Sequence, residues 1–240
     1  MSLAWLQIRA LCFKEWRVLL DTPLGYVIAI AFLFVNGFFF EMNLFLFGQA
    51  DMRAWFYTLA LVLMFFIPAM AMRMLADETR SGTFELLVTM PVSTSTIVLG
   101  KFLALWMQIL CLLALTLLYP LTLSCLGNLD IGQVLASYLA VVLLASSYAS
   151  VCLYASAMTR YEVVAYISGF IMLLLLFLLS KAIPSFSPVM QNWLFLLSPL
   201  SHYQSMLRGL IRLSDVMFFI AMSSVFLSLT WFELERRRWR

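Results

Sequence analysis

Six long runs of apolar residues dominate the chain and limit what it can fold into. They extend over residues 25–47, 55–72, 102–125, 134–158, 163–180 and 216–232. Each is close to the roughly 20 residues with which a helix crosses the hydrocarbon core of a bilayer. None alternates apolar and polar residues as a barrel strand does, and helices satisfy their own backbone in lipid. The sequence therefore predicts an all-α polytopic membrane protein with six transmembrane helices.

The composition excludes a soluble enzyme. The chain is 64% hydrophobic and 11% charged, whereas about a quarter of the residues in a soluble domain are charged. The net charge of +3 is not gathered into one basic stripe, so no nucleic-acid partner is expected. The four cysteines lie far apart and form no CxxC pair, so no metal site is expected.

The distribution of Lys and Arg predicts how the chain is oriented in the membrane. If the N-terminus is cytoplasmic, eleven basic residues fall on the cytoplasmic side and four on the outer side. The positive-inside rule favours this arrangement, with both termini in the cytoplasm. Residues 1–21 contain Arg9, Lys14, Glu15 and Arg17, which is not the pattern of a signal peptide, so we expect the first span to remain as an anchor.

Residues 1–21 predict a helix that lies in the membrane interface before the first span. Its polar residues share one side at helical spacing and its apolar residues share the other, although Arg9 interrupts the pattern. The polar side holds Gln7, Lys14, Arg17 and Asp21, and the apolar side holds Trp5, Ile8, Cys12, Trp16 and Leu19.

The longest polar stretch, residues 73–101, connects the second and third spans. Gly82 is expected to end one helix, Thr83 to cap a short second helix, and Pro91 to end that helix. Ser93 or Thr94 is then expected to start the helix that enters the third span. The result is a short helix held between two spans.

Residues 182–215 form a second connection, which is predicted to lie on the outer side. Prolines surround an apolar stretch at residues 193–197 that is too short to cross the membrane. We therefore expect a re-entrant or interfacial helical segment here. The segment also contains Arg208 and the single histidine, His202, which we interpret as a hydrogen-bonded structural residue.

Two further features bear on mechanism. Glu41, near the outer end of the first span, is either an intramembrane functional residue or a side chain that reaches the interface. Gly100-Lys101 is followed by Phe102, and Ser95 stands where a nucleotide-binding loop would have its first glycine. ATP is therefore not expected to bind this chain by that route. The small residues of the fourth span are expected to pack within one subunit.

The connection between the second and third spans carries a resemblance to a known family. Its sequence, Glu78-Thr-Arg80-Ser-Gly82-Thr83-Phe-Glu85-Leu86-Leu with Pro91 and Gly100-Lys101 after it, resembles the cytoplasmic loop of ABC-2 type transporter permeases. Ser198-Pro199-Leu200-Ser201-His202-Tyr203 and Leu234-Glu235-Arg236-Arg237 extend the similarity to the subgroup that includes the gliding-motility permease GldF and the copper-site maturation permease NosY. The resemblance covers nearly the whole chain.

The resemblance implies that residues 1–240 form a single transmembrane permease domain of a bacterial inner-membrane exporter. Two permease chains, identical or related, would pair and bind two copies of an ABC ATPase subunit. ATP and Mg²⁺ would be held by the ATPase, so this chain is expected to be no enzyme and to carry no cofactor or metal. Its surroundings would be membrane lipid, and an extracytoplasmic auxiliary protein is a further expected partner.

The same resemblance implies an ATPase-coupling helix in the loop, and it leaves one alternative open. The coupling residues would be Glu78, Arg80, Gly82, Thr83, Glu85, Leu86 and Pro91. Residues 182–215, with His202 and Arg208, would cover the outer end of the pathway. The alternative is a membrane scaffold that transmits ATPase-driven force or a signal to an extracytoplasmic partner without transporting a substrate.

Overall fold

The computed structural model describes residues 3–47, 52–82, 93–126, 130–183 and 187–238. Within these ranges the secondary structure is helical and no strand is found, which confirms the all-α prediction. The helices in chain order are α1 (Leu3–Asp21), α2 (Pro23–Phe47), α3 (Arg53–Ser81), α4 (Thr94–Leu115), α5 (Leu118–Leu126), α6 (Ile131–Met158), α7 (Glu162–Ala182), α8 (Pro188–Leu197), α9 (Pro199–Leu207) and α10 (Leu213–Arg238).

The described part of the chain contains six helical segments that are long and apolar enough to cross a membrane. They are α2, α3, α4 with α5, α6, α7 and α10, so the six predicted spans are confirmed. The predicted segment between the fifth and sixth spans consists of two short helices, α8 and α9, which are joined at Ser198. Neither is long enough to cross the hydrocarbon core.

The second and fourth spans form the centre of the bundle. In α3 and α6, 67% and 61% of the spanning residues are buried, against 11% in α2 and 17% in α7. Small side chains let α6 approach its neighbours closely. Ala140, Ala145, Ala149 and Ser150 are buried, which confirms that the small residues of the fourth span pack within the chain.

The third span differs from the continuous apolar run that the sequence predicted over residues 102–125. The helix is interrupted at Thr116 and Leu117, between α4 and α5. Pro120 has no N–H to donate to the Thr116 carbonyl and its ring crowds that group, which breaks the helical ladder. The Thr116 carbonyl instead accepts from the Tyr119 N–H at 3.1 Å and from the Tyr138 hydroxyl of α6 at 3.0 Å, so it keeps hydrogen-bond partners at this break.

Both ends of the loop between α3 and α4 lie where they were predicted. Gly82 follows the last residue of α3 with φ at 73°, a left-handed conformation that glycine adopts without strain. Ser93 caps α4, since its Oγ accepts a hydrogen bond from the Thr96 N–H at 3.3 Å. Residues 83–92 lie outside the described residues, so the Thr83 cap and the end of a helix at Pro91 stay predictions.

We call the end at which α3 finishes and α4 begins the Gly82 end. At the opposite end, Tyr203 of α9 donates a hydrogen bond to the carbonyl of Phe56, near the start of α3, at 2.7 Å. We call it the His202 end.

Candidate functional site

A buried lysine joins three helices at the Gly82 end. The Lys101 side chain is 0% exposed. Its ammonium lies 2.7 Å from Glu78 Oε1 on α3 and 3.4 Å from Glu15 Oε1 on α1. It also donates to the carbonyl of Met74 at 2.6 Å. We call these residues the Lys101 junction. A buried ammonium is tolerated where opposite charges and acceptors replace its water, and here each of its three protons has an oxygen partner.

The neighbouring glycine explains how α1 comes close enough to take part. A Cβ added to Gly100 would lie 2.8 Å from Leu11 Cδ2 and 3.2 Å from Leu11 Cβ. Glycine therefore permits the approach of α1 to α4 that places Glu15 beside Lys101. The Gly100-Lys101 pair thus combines a close helix contact with a buried cation.

The contacts of α1 correct the predicted division of its faces. The apolar residues do not all share one environment, because Cys12 is buried against α4 while Trp5 is exposed. Cys12 Sγ lies 3.6 Å from Met107 Sδ of α4. Helical spacing does not distinguish an apolar side chain that protein covers, such as Cys12, from one that stays exposed, such as Trp5.

Three further polar contacts connect α3 and α4 with the rest of the bundle at the Gly82 end. Ser156 of α6 accepts from the Leu75 and Ala76 N–H groups at 3.2 and 3.1 Å. Arg73 pairs with Glu162, at the start of α7, at 2.8 Å. Thr94, the first residue of α4, donates to Glu235 of α10 at 2.6 Å. A displacement of the loop between α3 and α4 therefore acts on helices with direct contacts to α1, α6, α7 and α10.

The predicted coupling residues have different surroundings. Glu78 points into the bundle, where it binds Lys101, while Arg80 and Gly82 are exposed. Thr83, Glu85, Leu86 and Pro91 lie outside the described residues. The pairing of Glu78 with Lys101 was not predicted from the sequence. A lysine directly before the apolar run at residues 102–125 was the available signal, because a charge next to the membrane core requires a partner.

Glu41, the predicted intramembrane candidate, is exposed on α2. It does not take part in the ion pairs found among the described residues. The structure therefore leaves both interpretations of Glu41 as predictions.

At the His202 end, a histidine–aspartate contact connects α9 with α10. His202 Nδ1 lies 2.8 Å from Asp215 Oδ1, and both side chains are buried. The ring also stacks on Phe218 at 4.3 Å, and Nε2 lies 3.3 Å from the carbonyl of Leu196. This is the hydrogen-bonded environment that the sequence analysis expected for His202. Arg208, by contrast, is exposed just after the last residue of α9.

The described residues contain no group of three or more His, Cys, Asp or Glu side chains arranged to hold a metal ion. The chemistry available at the Gly82 end is charge pairing between helices. Such an arrangement resists the separation of α1, α3 and α4.

The comparisons with known proteins support a transport role for this architecture. The family model described as ABC-2 family transporter protein matches residues 14–235. This range contains every member of the Lys101 junction and the His202–Asp215 pair. A search of the curated proteins found no match.

Proposed function

The chain belongs to the ABC-2 transporter family and is a permease component of an ABC transporter, and from that premise we propose that it couples ATP hydrolysis to export. ATP and Mg²⁺ bind to two copies of a separate ATPase subunit. Two permease chains, identical or related, form the membrane part in a bacterial inner membrane. Each chain is a single permease domain with both termini in the cytoplasm, and it resembles the gliding-motility and copper-site maturation subgroup.

The Lys101 junction is the observation that carries this proposal. The loop at residues 83–92 is held at both ends by helices that Lys101 joins. A force applied to the loop therefore moves α3 and α4 together, and Glu15 connects α1 to the same movement. Because the cation is buried, separating these helices would expose charge to a low-dielectric environment and cost several kcal/mol. This supports movement of the three helices as one unit.

The proposed ATPase-binding surface consists of the predicted coupling residues that do not bind inside the bundle. Arg80 is exposed at the last turn of α3 and is suited to an ion pair with the partner. The loop residues Thr83, Glu85, Leu86 and Pro91 form the proposed coupling helix. Glu78 acts as a positioning residue, because its carboxylate binds Lys101.

At the His202 end, α8 and α9 cover the outer side of the export pathway. The His202–Asp215 pair holds α9 to α10, and Arg208 is available to an extracytoplasmic auxiliary protein. Glu41 faces either lipid head groups or the second permease chain.

The test is co-purification in mild detergent with the ABC ATPase encoded beside the gene. The wild-type chain is expected to retain two copies of the ATPase. The ATPase activity of this complex is expected to respond to reconstitution in lipid. Arg80→Glu is expected to weaken ATPase binding at least tenfold. The matched control is Arg212→Glu, since Arg212 is exposed at the His202 end.

The outcomes separate the parts of the proposal. If Arg80→Glu and Arg212→Glu bind the ATPase equally well, Arg80 is not in the interface. If the native chain binds no ATPase, the coupling proposal fails while the family membership stands. If the reconstituted complex hydrolyses ATP but none of the substrates tested crosses the membrane, the force-transmitting scaffold replaces the exporter as the proposed function.

A further inference from the structure

The face of α1 that points away from the bundle has an unusual order of side chains. Trp5, Arg9, Phe13 and Arg17 follow one another at intervals of four residues, so they form a single row along the helix. All four are exposed. Trp5 is 62% exposed and Phe13 is 51% exposed. We call this row the α1 ladder, in which aromatic and arginine side chains alternate.

The arginines of the ladder are not used inside the protein. Within the part of the chain that the structure describes, neither Arg9 nor Arg17 forms an ion pair. On the same helix, Glu15 is directed to Lys101 on the opposite face, and Asp21, four residues after Arg17, is exposed and forms no ion pair with it among the described residues. The Arg17 guanidinium lies over the Phe13 ring, 5.2 Å from its centroid. This contact holds the cation alongside the apolar ring and leaves its N–H groups free for another partner.

A partner that binds this face must present negative charges and an apolar region side by side. The surface of a bilayer with anionic phospholipids does so, because phosphates pair with arginine while aromatic rings enter the region between head groups and acyl chains. The ladder precedes a membrane-spanning helix directly, since α2 begins at Pro23. We propose that the α1 ladder is a binding surface for anionic phospholipid head groups.

The opposite faces of α1 then connect the lipid with the Lys101 junction. The ladder faces outward, and Leu11, Cys12 and Glu15 contact α4 or Lys101. Lipid that binds the ladder stabilises α1 against the bundle and thereby keeps Glu15 beside Lys101. The inference rests on the membrane-spanning fold and not on the proposed ATPase partner, so the two fail separately.

The test measures the environment of Trp5 in nanodiscs. The contribution of Trp5 to fluorescence is the difference between the wild-type chain and Trp5→Phe. We expect brominated phosphatidylglycerol to quench this contribution more strongly than an equal fraction of brominated phosphatidylcholine. Each arginine near an anionic surface contributes roughly a fivefold preference. In Arg9→Gln/Arg17→Gln the preference for phosphatidylglycerol is expected to fall at least about fivefold, and high salt is expected to reduce it in the wild type.

The matched control is Arg208→Gln/Arg212→Gln, which removes two exposed arginines from the His202 end. This variant is expected to keep the preference at Trp5. The proposal is overturned if the ladder variant keeps the preference or if the control loses it to the same degree. It is also overturned if neither lipid quenches Trp5 and an added ATPase shields it, because the ladder would then bind protein.

Discussion

The two ends of the bundle hold their helices together with different chemistry. At the Gly82 end, one fully buried lysine serves three helices. At the His202 end, the Tyr203 and Tyr138 hydroxyls donate to backbone carbonyls, and a hydrogen bond between His202 and Asp215 joins α9 to α10. Losing a neutral hydrogen bond costs little, whereas an unpaired buried charge costs much. Because one cation joins three helices, the Gly82 end is expected to fail as a unit, whereas each contact at the His202 end joins two helices and its loss stays local.

The largest effect is expected for Lys101→Met. The substitution keeps the apolar stem but leaves Glu78 and Glu15 near one another without a cation, at a cost of about 3–5 kcal/mol. Equilibrium unfolding by SDS in mixed micelles measures this loss. Lys181→Met is the control, because Lys181 is exposed at the opposite end of the bundle and lies over the Tyr57 ring. Equal losses in both variants would refute the special role of the junction.

A smaller effect is expected when the His202–Asp215 pair is broken. His202→Ala leaves the buried Asp215 carboxylate without its partner, at a cost of about 1–3 kcal/mol. Because the two side chains act on each other, His202→Ala/Asp215→Ala is expected to lose less than the sum of the single variants. Strict additivity in the same SDS titration would show that the pair contributes no coupling.

Gly100→Ala tests whether the close contact between α1 and α4 is needed to hold α1 at the Lys101 junction. The added methyl group overlaps Leu11, and overpacking of this kind costs about 1–3 kcal/mol. A second change, Leu11→Ala, makes room for the methyl group and is expected to restore part of the loss. Protease accessibility of α1 provides the local readout. If Gly100→Ala leaves α1 as protected as in the wild type, the close contact does not limit its packing.

The smallest effect is expected for Tyr203→Phe at the His202 end. The variant removes one hydroxyl, whose hydrogen bond to the Phe56 carbonyl measures 2.7 Å, and we expect a loss of about 0.5–1.5 kcal/mol. Tyr161→Phe serves as the control, because Tyr161 is exposed. A loss as large as that of Lys101→Met would remove the contrast between the two ends.

Hydropathy and local signals predicted the spans, the Gly82 break and the Ser93 cap, because these depend on residues that are close in the sequence. The Lys101 junction did not follow from them, since Glu15 lies 86 positions and Met74 lies 27 positions from Lys101. The pairing of His202 with Asp215 likewise depends on how α9 folds back against α10. Pro120 did offer a local sign of the break in the third span, but its consequence at Thr116 was not recognised.

The position of Glu15 in the chain has a consequence for biosynthesis. Helix α1 leaves the ribosome 86 residues before Lys101, which corresponds to roughly 4–17 s at ordinary rates of translation. During that interval its docking surface on α4 does not exist. Glu15 therefore has no Lys101 to pair with until the two spans α2 and α3 have been made. The docking of α1 onto α4 therefore takes place only after α2 and α3 have been made.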